Sequence, residues 1–172
     1  MSQYFKIGKI VATWHYKGHL VLKHSLGKKT TLKGLEAVFI EDKSDSFFPF
    51  FIQETKARKN VDELLLKLEG TDSLEDGKKL LNKDIWVSEI DFKKFAAKTA
   101  PISLLGFSMI HEGEAIGDVI EVIEQPHQLL CSILYKGKEA LIPIHEETLE
   151  KIDMKNRKVF VKLPDGLLDI YL

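Results

Sequence analysis

The chain is poor in the residues that announce chemistry. Among its 172 residues are one cysteine and five prolines. No apolar run approaches the roughly 18 residues that cross a bilayer as a helix. The opening stretch, MSQYFKIGKIVATW, lacks the architecture of a signal peptide because lysines interrupt its apolar residues. A lone cysteine excludes an internal disulfide. Cys131 lies in the apolar stretch from Leu129 to Leu134, which suits a buried structural thiol. These absences point to the cytoplasm. Catalytic signatures are missing too: there is no GxSxG, P-loop, GxGxxG or HExxH. His15, His19 and His24 are spaced for a helix, yet they fall in a turn and a strand with no cysteine or acid beside them, so zinc is not expected. His145-Glu146-Glu147 reads as a surface acid cluster rather than an acid/base pair. Gly113 and Gly117 belong to a hairpin rather than a phosphate cradle. A binding protein is expected, without enzymatic activity, metal or cofactor.

What is present suits a folded, soluble chain, at 44% hydrophobic and 30% charged residues. The length allows one or two domains. The net charge of −1 hides an asymmetry. Residues 1–35 hold seven lysines and no acid, whereas residues 91–172 carry 10 basic and 13 acidic side chains. A basic end on a near-neutral protein is a footprint for a polyanion, or else a solvated lysine-rich surface.

Alternation and turn residues predict strands at Tyr4–Thr13, His19–Lys23, Ala37–Asp42, Phe47–Thr55, Glu63–Glu69 and Asp84–Ser88. Phe5, Ile7 and Val11 fall on one face of the first. Pro49 marks the fourth as an edge or a bulge. A short helix follows Asp72, the expected cap, with Glu75 at the capping-box position, an apolar stripe of Leu74, Leu80 and Leu81, and Gly77 as a weakness. Six strands and a helix suit a small closed barrel over residues 1–90. Residues 91–100 lose the alternation and read as a linker. Strands at Phe107–His111, Ala115–Glu124, Leu129–Tyr135, Glu139–Ile144 and Lys158–Leu163 suit a second compact barrel over residues 101–172. The expected fold is all-β: two small β-barrels joined by a short linker, with one or two short helices.

Two segments suggest binding. Trp14, His15, Tyr16 and Lys17 share one loop, and with Lys9 they form a candidate RNA-facing set in which rings stack on unpaired bases and cations hold phosphates. The alternative is that Trp14 and Tyr16 plug the barrel end. Leu104, Leu105 and Phe107 flank Gly106 after Pro101; they are candidates to dock a protein, or they pack between domains.

The order of these segments resembles the RimM family. Gly8-Lys9-Ile10-Val11, a loop, then Lys17-Gly18-His19-Leu20 is similar to its opening. Leu66-Lys67-Leu68-Glu69-Gly70-Thr71-Asp72-Ser73, continuing to Leu80, looks like its strand, glycine and short helix. Leu104-Leu105-Gly106, Ile116-Gly117-Asp118-Val119, the run from Lys138 to Pro143, Ile152-Asp153 and the stretch from Val159 to Leu168 resemble a PRC barrel. The likeness covers nearly the whole chain. It implies a translation-factor-like barrel joined to a PRC barrel. It also implies binding to the immature small ribosomal subunit through a head-region ribosomal protein (the one numbered nineteen), and support for rRNA processing. The family's aromatic pair, linked to ribosome binding, falls near Thr99 and Ala100, and Ser103 stands where its acid would be. Gly77 replaces the alanine of its short helix. With the aromatic pair absent, Phe95 is the nearest candidate to take over part of the partner contact.

The leading expectation is therefore a monomeric ribosome-assembly chaperone. A generic RNA-binding barrel is the second reading and would bind naked RNA as strongly as pre-ribosomes. A flavin-binding barrel enzyme is the third and would be yellow.

Overall fold

The computed structural model describes residues 3–98 and 100–172. The chain divides into two compact units, Met1–Ala100 and Pro101–Leu172.

In the first unit, six strands close into a barrel of order β1-β2-β5-β4-β3-β6. These are β1 (Tyr4–Trp14), β2 (His19–His24), β3 (Ala37–Lys43), β4 (Ser46–Ala57), β5 (Glu63–Leu68) and β6 (Asp84–Ser88). Period-2 alternation drives Leu20, Leu22, Leu64, Leu66, Val38, Ile85 and Val87 inward, all essentially without exposure. Leu20 lies opposite Leu66 and Leu22 opposite Leu64. Each such side chain contributes about 1.5–3 kcal/mol of burial.

β1 departs from simple alternation. Its pairing slips between Lys6 and Gly8 against β6, and between Ile10 and Ala12 against β2. A slip of one residue exchanges the two faces. Phe5 and Ile7 therefore point inward as expected, but Ile10 takes the next inward place, and Val11 is 41% exposed. Gly8 lies close against β2, and a Cβ there would stand 2.1 Å from the Lys23 carbonyl oxygen.

Pro49 lies in the half of β4 that pairs with β3, while the half from Ile52 onward pairs with β5. Its missing N–H is thus placed where β4 has a single laddered neighbour.

Helix α1 (Leu74–Lys78) is capped by Ser73, not Asp72. The Ser73 hydroxyl accepts from the Asp76 N–H at 3.1 Å, and Asp76 accepts from the Asp72 N–H at 3.2 Å. The Asp72 carboxylate instead meets Lys67 Nζ at 2.9 Å. The helix is one turn long, with Leu74 exposed, and Gly77 is its buried residue. A Cβ on Gly77 would press on Thr13 at 3.2 Å and Leu20 at 3.4 Å, so the glycine lets the helix close onto the barrel.

Residues 91–100 are not a bare tether. Helix α2 (Glu89–Phe95) is capped by Ser88, and it buries Phe92 edge-on against Phe5 with ring centres 5.0 Å apart. One buried ring among charged residues breaks the alternation without freeing the segment.

The second unit is a six-stranded sheet of order β10-β9-β8-β7-β12-β11. Its strands are β7 (Ser108–His111), β8 (Glu114–Gln125), β9 (Gln128–Tyr135), β10 (Lys138–Ile144), β11 (Leu149–Asp153) and β12 (Lys158–Val161). β7 and β12 pair in parallel. β8 slips register between Val119 and Glu121 as it passes from β7 to β9. Met109, Val119, Cys131, Ile133, Ala140, Ile142, Val159 and Val161 form the core. β11 adds a strand to the five expected. A final 3-10 turn, Leu168–Tyr171, lies along β10: the Tyr171 hydroxyl accepts from the Leu141 N–H at 3.3 Å, and Lys138 Nζ donates to the Leu172 carbonyl at 2.7 Å.

His24 gives the first unit a pH dependence. It is buried, its Nδ1 accepts from the Leu26 N–H at 3.3 Å, and its Nε2 has no partner among the described residues. Burial lowers its pKa from 6.5, partly offset by Asp62. As pH falls through 6.5, the unfolded chain takes up the proton first. Stability is therefore full above 6.5 and declines below it, by at most about 1.4 kcal/mol per pH unit for one group. Denaturant titrations at pH 7.5 and 5.5 should show this loss in the wild type. His24→Asn, whose amide oxygen can replace Nδ1 as acceptor, should lose less between the two pH values. An equal loss would assign the slope to other groups.

Candidate nucleic-acid interface

At one end of the first barrel, β1 turns into β2 through His15, Tyr16, Lys17 and Gly18. His15 and Gly18 adopt left-handed φ values of 68° and 84°. Glycine is demanded at 18 twice over, since a Cβ would also stand 2.2 Å from the Thr71 carbonyl oxygen. That carbonyl is fixed from behind by Lys67, whose buried ammonium donates to Thr71 and, at 3.1 Å, to the Leu68 carbonyl, besides its pairing with Asp72. The loop is thus seated on a rigid turn.

The seat holds the rings outward. Trp14 is 49% exposed and Tyr16 68% exposed. Both therefore face solvent and do not plug the barrel. The His15 and Tyr16 rings lie 4.2 Å apart, with Lys17 Nζ 6.0 Å from the Tyr16 centroid. The end of β4 completes the site. Arg58 stacks its guanidinium 5.0 Å from the Trp14 centroid and is held by Glu63 at 3.2 Å. Trp14, His15, His19, Glu54, Lys56 and Leu65 line an open cavity of about 190 Å³. His19 Nε2 lies 3.4 Å from Glu54 Oε2. Flat rings, a guanidinium plane and exposed cations can stack bases while holding phosphates.

Of the five residues expected to face RNA, Trp14, His15, Tyr16 and Lys17 come together. Lys9 does not. It sits five residues back along β1, roughly 16 Å at strand rise, 3.9 Å from Asp84. Arg58, Lys56, His19 and Glu54 were not assigned to this site from the sequence. The run Lys56-Ala57-Arg58-Lys59 after β4 is the signal that could have found the two cations.

The expected protein-docking residues need correction. Leu104, Leu105 and Phe107 are all buried. The Gly106 N–H donates to the Val119 carbonyl and the Phe107 N–H to the Leu104 carbonyl. Arg157 donates to the Leu105 carbonyl at 3.3 Å and stacks over Phe107 at 5.5 Å. These side chains are spent on packing. Phe95 is half-buried at the end of α2. Thr99 lies outside the described residues. Ala100 is buried, and its methyl would lie 2.3 Å from a Cβ on Gly27, so the position has no room for a large ring.

Cys131 is buried, and burial pushes its thiol up to about 12. Among the described residues no three His, Cys, Asp or Glu side chains gather as metal ligands. Nor is any helix of the described residues long and apolar enough to cross a membrane.

The sequence matches the family described as RimM N-terminal domain over residues 5–92 and the RimM PRC barrel domain over residues 101–167. It is 31% identical over 170 residues to a protein of Christiangramia forsetii named ribosome maturation factor RimM, covering 98% of this chain and 96% of that one. Proteins of the same name from Flavobacterium psychrophilum and Parabacteroides distasonis are 26% and 27% identical, each alignment covering 98% of this chain, and 97% and 98% of theirs.

Proposed function

The chain belongs to the RimM family of ribosome maturation factors, and from that premise we propose that it binds the immature small subunit through the aromatic, cationic end of its first barrel. The observation that carries this reading is Trp14, half exposed with Arg58 stacked beside it. A ring held in solvent beside a guanidinium offers a flat face, and a base from unpaired rRNA matches it.

The role is stoichiometric and non-catalytic. The factor binds the head-region ribosomal protein numbered nineteen and nearby rRNA, favours the mature arrangement and leaves. It shifts that equilibrium only by its differential affinity for the two states. Support for rRNA processing follows if a folded head is the better processing substrate. The protein acts as a cytoplasmic monomer, with residues 1–90 and 101–172 as separable domains. Phe95 is the remaining candidate for the protein contact, because it alone of the proposed set is not deeply buried.

Co-sedimentation with immature and mature small subunits, at about 50 and 200 mM salt, tests the reading. Preferential pelleting with immature particles is expected, weakening steeply with salt as lysines release phosphate counterions. Equal affinity for naked RNA would favour a generic RNA-binding barrel. Binding unaffected by salt would remove RNA from the contact.

A further inference from the structure

The open cavity beside Trp14 holds one group that contact with a phosphate backbone does not explain. Among the described residues that line it, Glu54 is the only acid. Its side chain is 64% exposed, and its one polar partner among the described residues is His19, whose Nε2 lies 3.4 Å from Glu54 Oε2. That contact is long and takes a single lone-pair position, so both carboxylate oxygens can still accept. Lys67 stands directly across the ladder from Glu54, but its ammonium is spent on Asp72 and on the Leu68 and Thr71 carbonyls. No lysine or arginine of the described residues forms an ion pair with Glu54.

A carboxylate set among cations weakens their hold on phosphate. In RNA its favourable partners are the donors on base edges. The four bases differ there. Guanine presents N1–H and its 2-amino group side by side, matching the two oxygens of one carboxylate. Adenine and cytosine each place an acceptor nitrogen beside their amino group, and uracil flanks its N3–H with two carbonyls. Each of those sets a lone pair against a carboxylate oxygen. On the other side of its N1–H, guanine carries the acceptor O6. Lys56 can serve it: two residues beyond Glu54 on β4, it lies on the same face with its backbone about 7 Å away at strand rise, and it lines the same cavity. Acceptor and donor thus follow the order of the guanine edge, with Trp14 as the stacking wall.

We infer that this cavity selects an unpaired guanine of a single RNA strand, with Glu54 accepting from N1–H and the 2-amino group, Lys56 donating to O6 and Trp14 stacking on the ring. The inference rests on the RNA contact proposed for the Trp14 end and adds which base is taken there.

The test uses the full chain and RNA strands of about nine nucleotides, within the span one such barrel covers. One strand is all uridine, and the others carry a single central guanine, adenine or hypoxanthine (guanine without its 2-amino group). Fluorescence anisotropy should show the guanine strand binding about tenfold or more tighter than the uridine and adenine strands, the scale of one bidentate pair to a base. The hypoxanthine strand should fall between. Glu54→Gln should bring the guanine strand to within about twofold of oligouridine, because an amide offers one acceptor where the carboxylate offers two. Oligouridine itself should bind this variant as well as wild type or better, since a negative charge has been removed. A general weakening of every strand would instead mark Glu54 as structural and overturn the inference. Equal affinity of wild type for the guanine and uridine strands, or a guanine preference that survives Glu54→Gln, would also overturn it while leaving RNA binding intact. Binding to none of the strands would sink the RNA contact itself, and this inference with it. Free GMP presents the same edge from a different source. It should displace the guanine strand only in large excess, because it lacks the flanking phosphates. Displacement at comparable concentration would make the occupant a nucleotide and overturn the assignment to RNA.

Discussion

Replacing Gly8 by alanine should cost the first unit about 3 kcal/mol or more, at the upper end of single-residue effects. The added carbon would stand 2.1 Å from the Lys23 carbonyl oxygen and 2.8 Å from the His24 Cα. Both are backbone atoms of a laddered strand, so neither can swing aside as a side-chain tip would. Relief requires β1 and β2 to part, and the pairs Gly8–His24 and Lys9–Lys23 lie at that point. Gly70→Ala is the comparison. Gly70 has a left-handed φ of 82°, but nothing lies within 4 Å of its would-be Cβ. Its cost should be only the conformational one, about 1 kcal/mol. Denaturant unfolding followed by circular dichroism measures both. Equal costs would mean the strands separate cheaply, and the close crossing would lose its structural importance.

The largest functional effect should come from Trp14→Ala combined with Arg58→Glu. Stacking on one aromatic ring contributes about 1–3 kcal/mol per base, and a reversed charge beside phosphate adds repulsion. Affinity for single-stranded rRNA segments should fall about a hundredfold. Trp14→Phe should keep most of it, because a smaller ring still stacks. Lys9→Glu should matter far less, since Lys9 lies well down β1 beside Asp84. Filter binding or anisotropy on all four chains measures this. A Lys9→Glu loss as large as that of the double variant would move the RNA track to the side of the barrel.

Which features could be read in advance follows from how each is encoded. Strands with one buried face declare themselves by alternation, so β2, β5 and β6 were found to within a residue or so. β11 was missed because none of Leu149–Asp153 is fully buried, which leaves no apolar period to detect. Helix α2 was missed because Phe92 is its only buried residue. Val11 was placed on the wrong face because a β-bulge is a property of two paired strands and has no signature in one of them. The interface divides the same way. Trp14 to Lys17 are neighbours in sequence, so their clustering was visible. Arg58 and Lys56 reach them only through the closure of the barrel. Leu104, Leu105 and Phe107 were assigned to docking because an apolar cluster looks alike whether a partner or the chain's own core covers it.

The turn at Leu168–Tyr171 has a consequence for how the protein behaves at high concentration. The first sheet closes on itself and offers no free rim, but the second ends at β10 and β11. Unpaired strand rims template the addition of foreign strands. On β10 the Tyr171 hydroxyl occupies the Leu141 amide, Lys138 is tied to Leu172, and Pro143 contributes no N–H at all. On β11 the charged Glu150 and Lys151 stand exposed. The last five residues therefore act as a cover strip against aggregation, and a tag or a cut placed there would uncover a surface primed for chain-to-chain stacking.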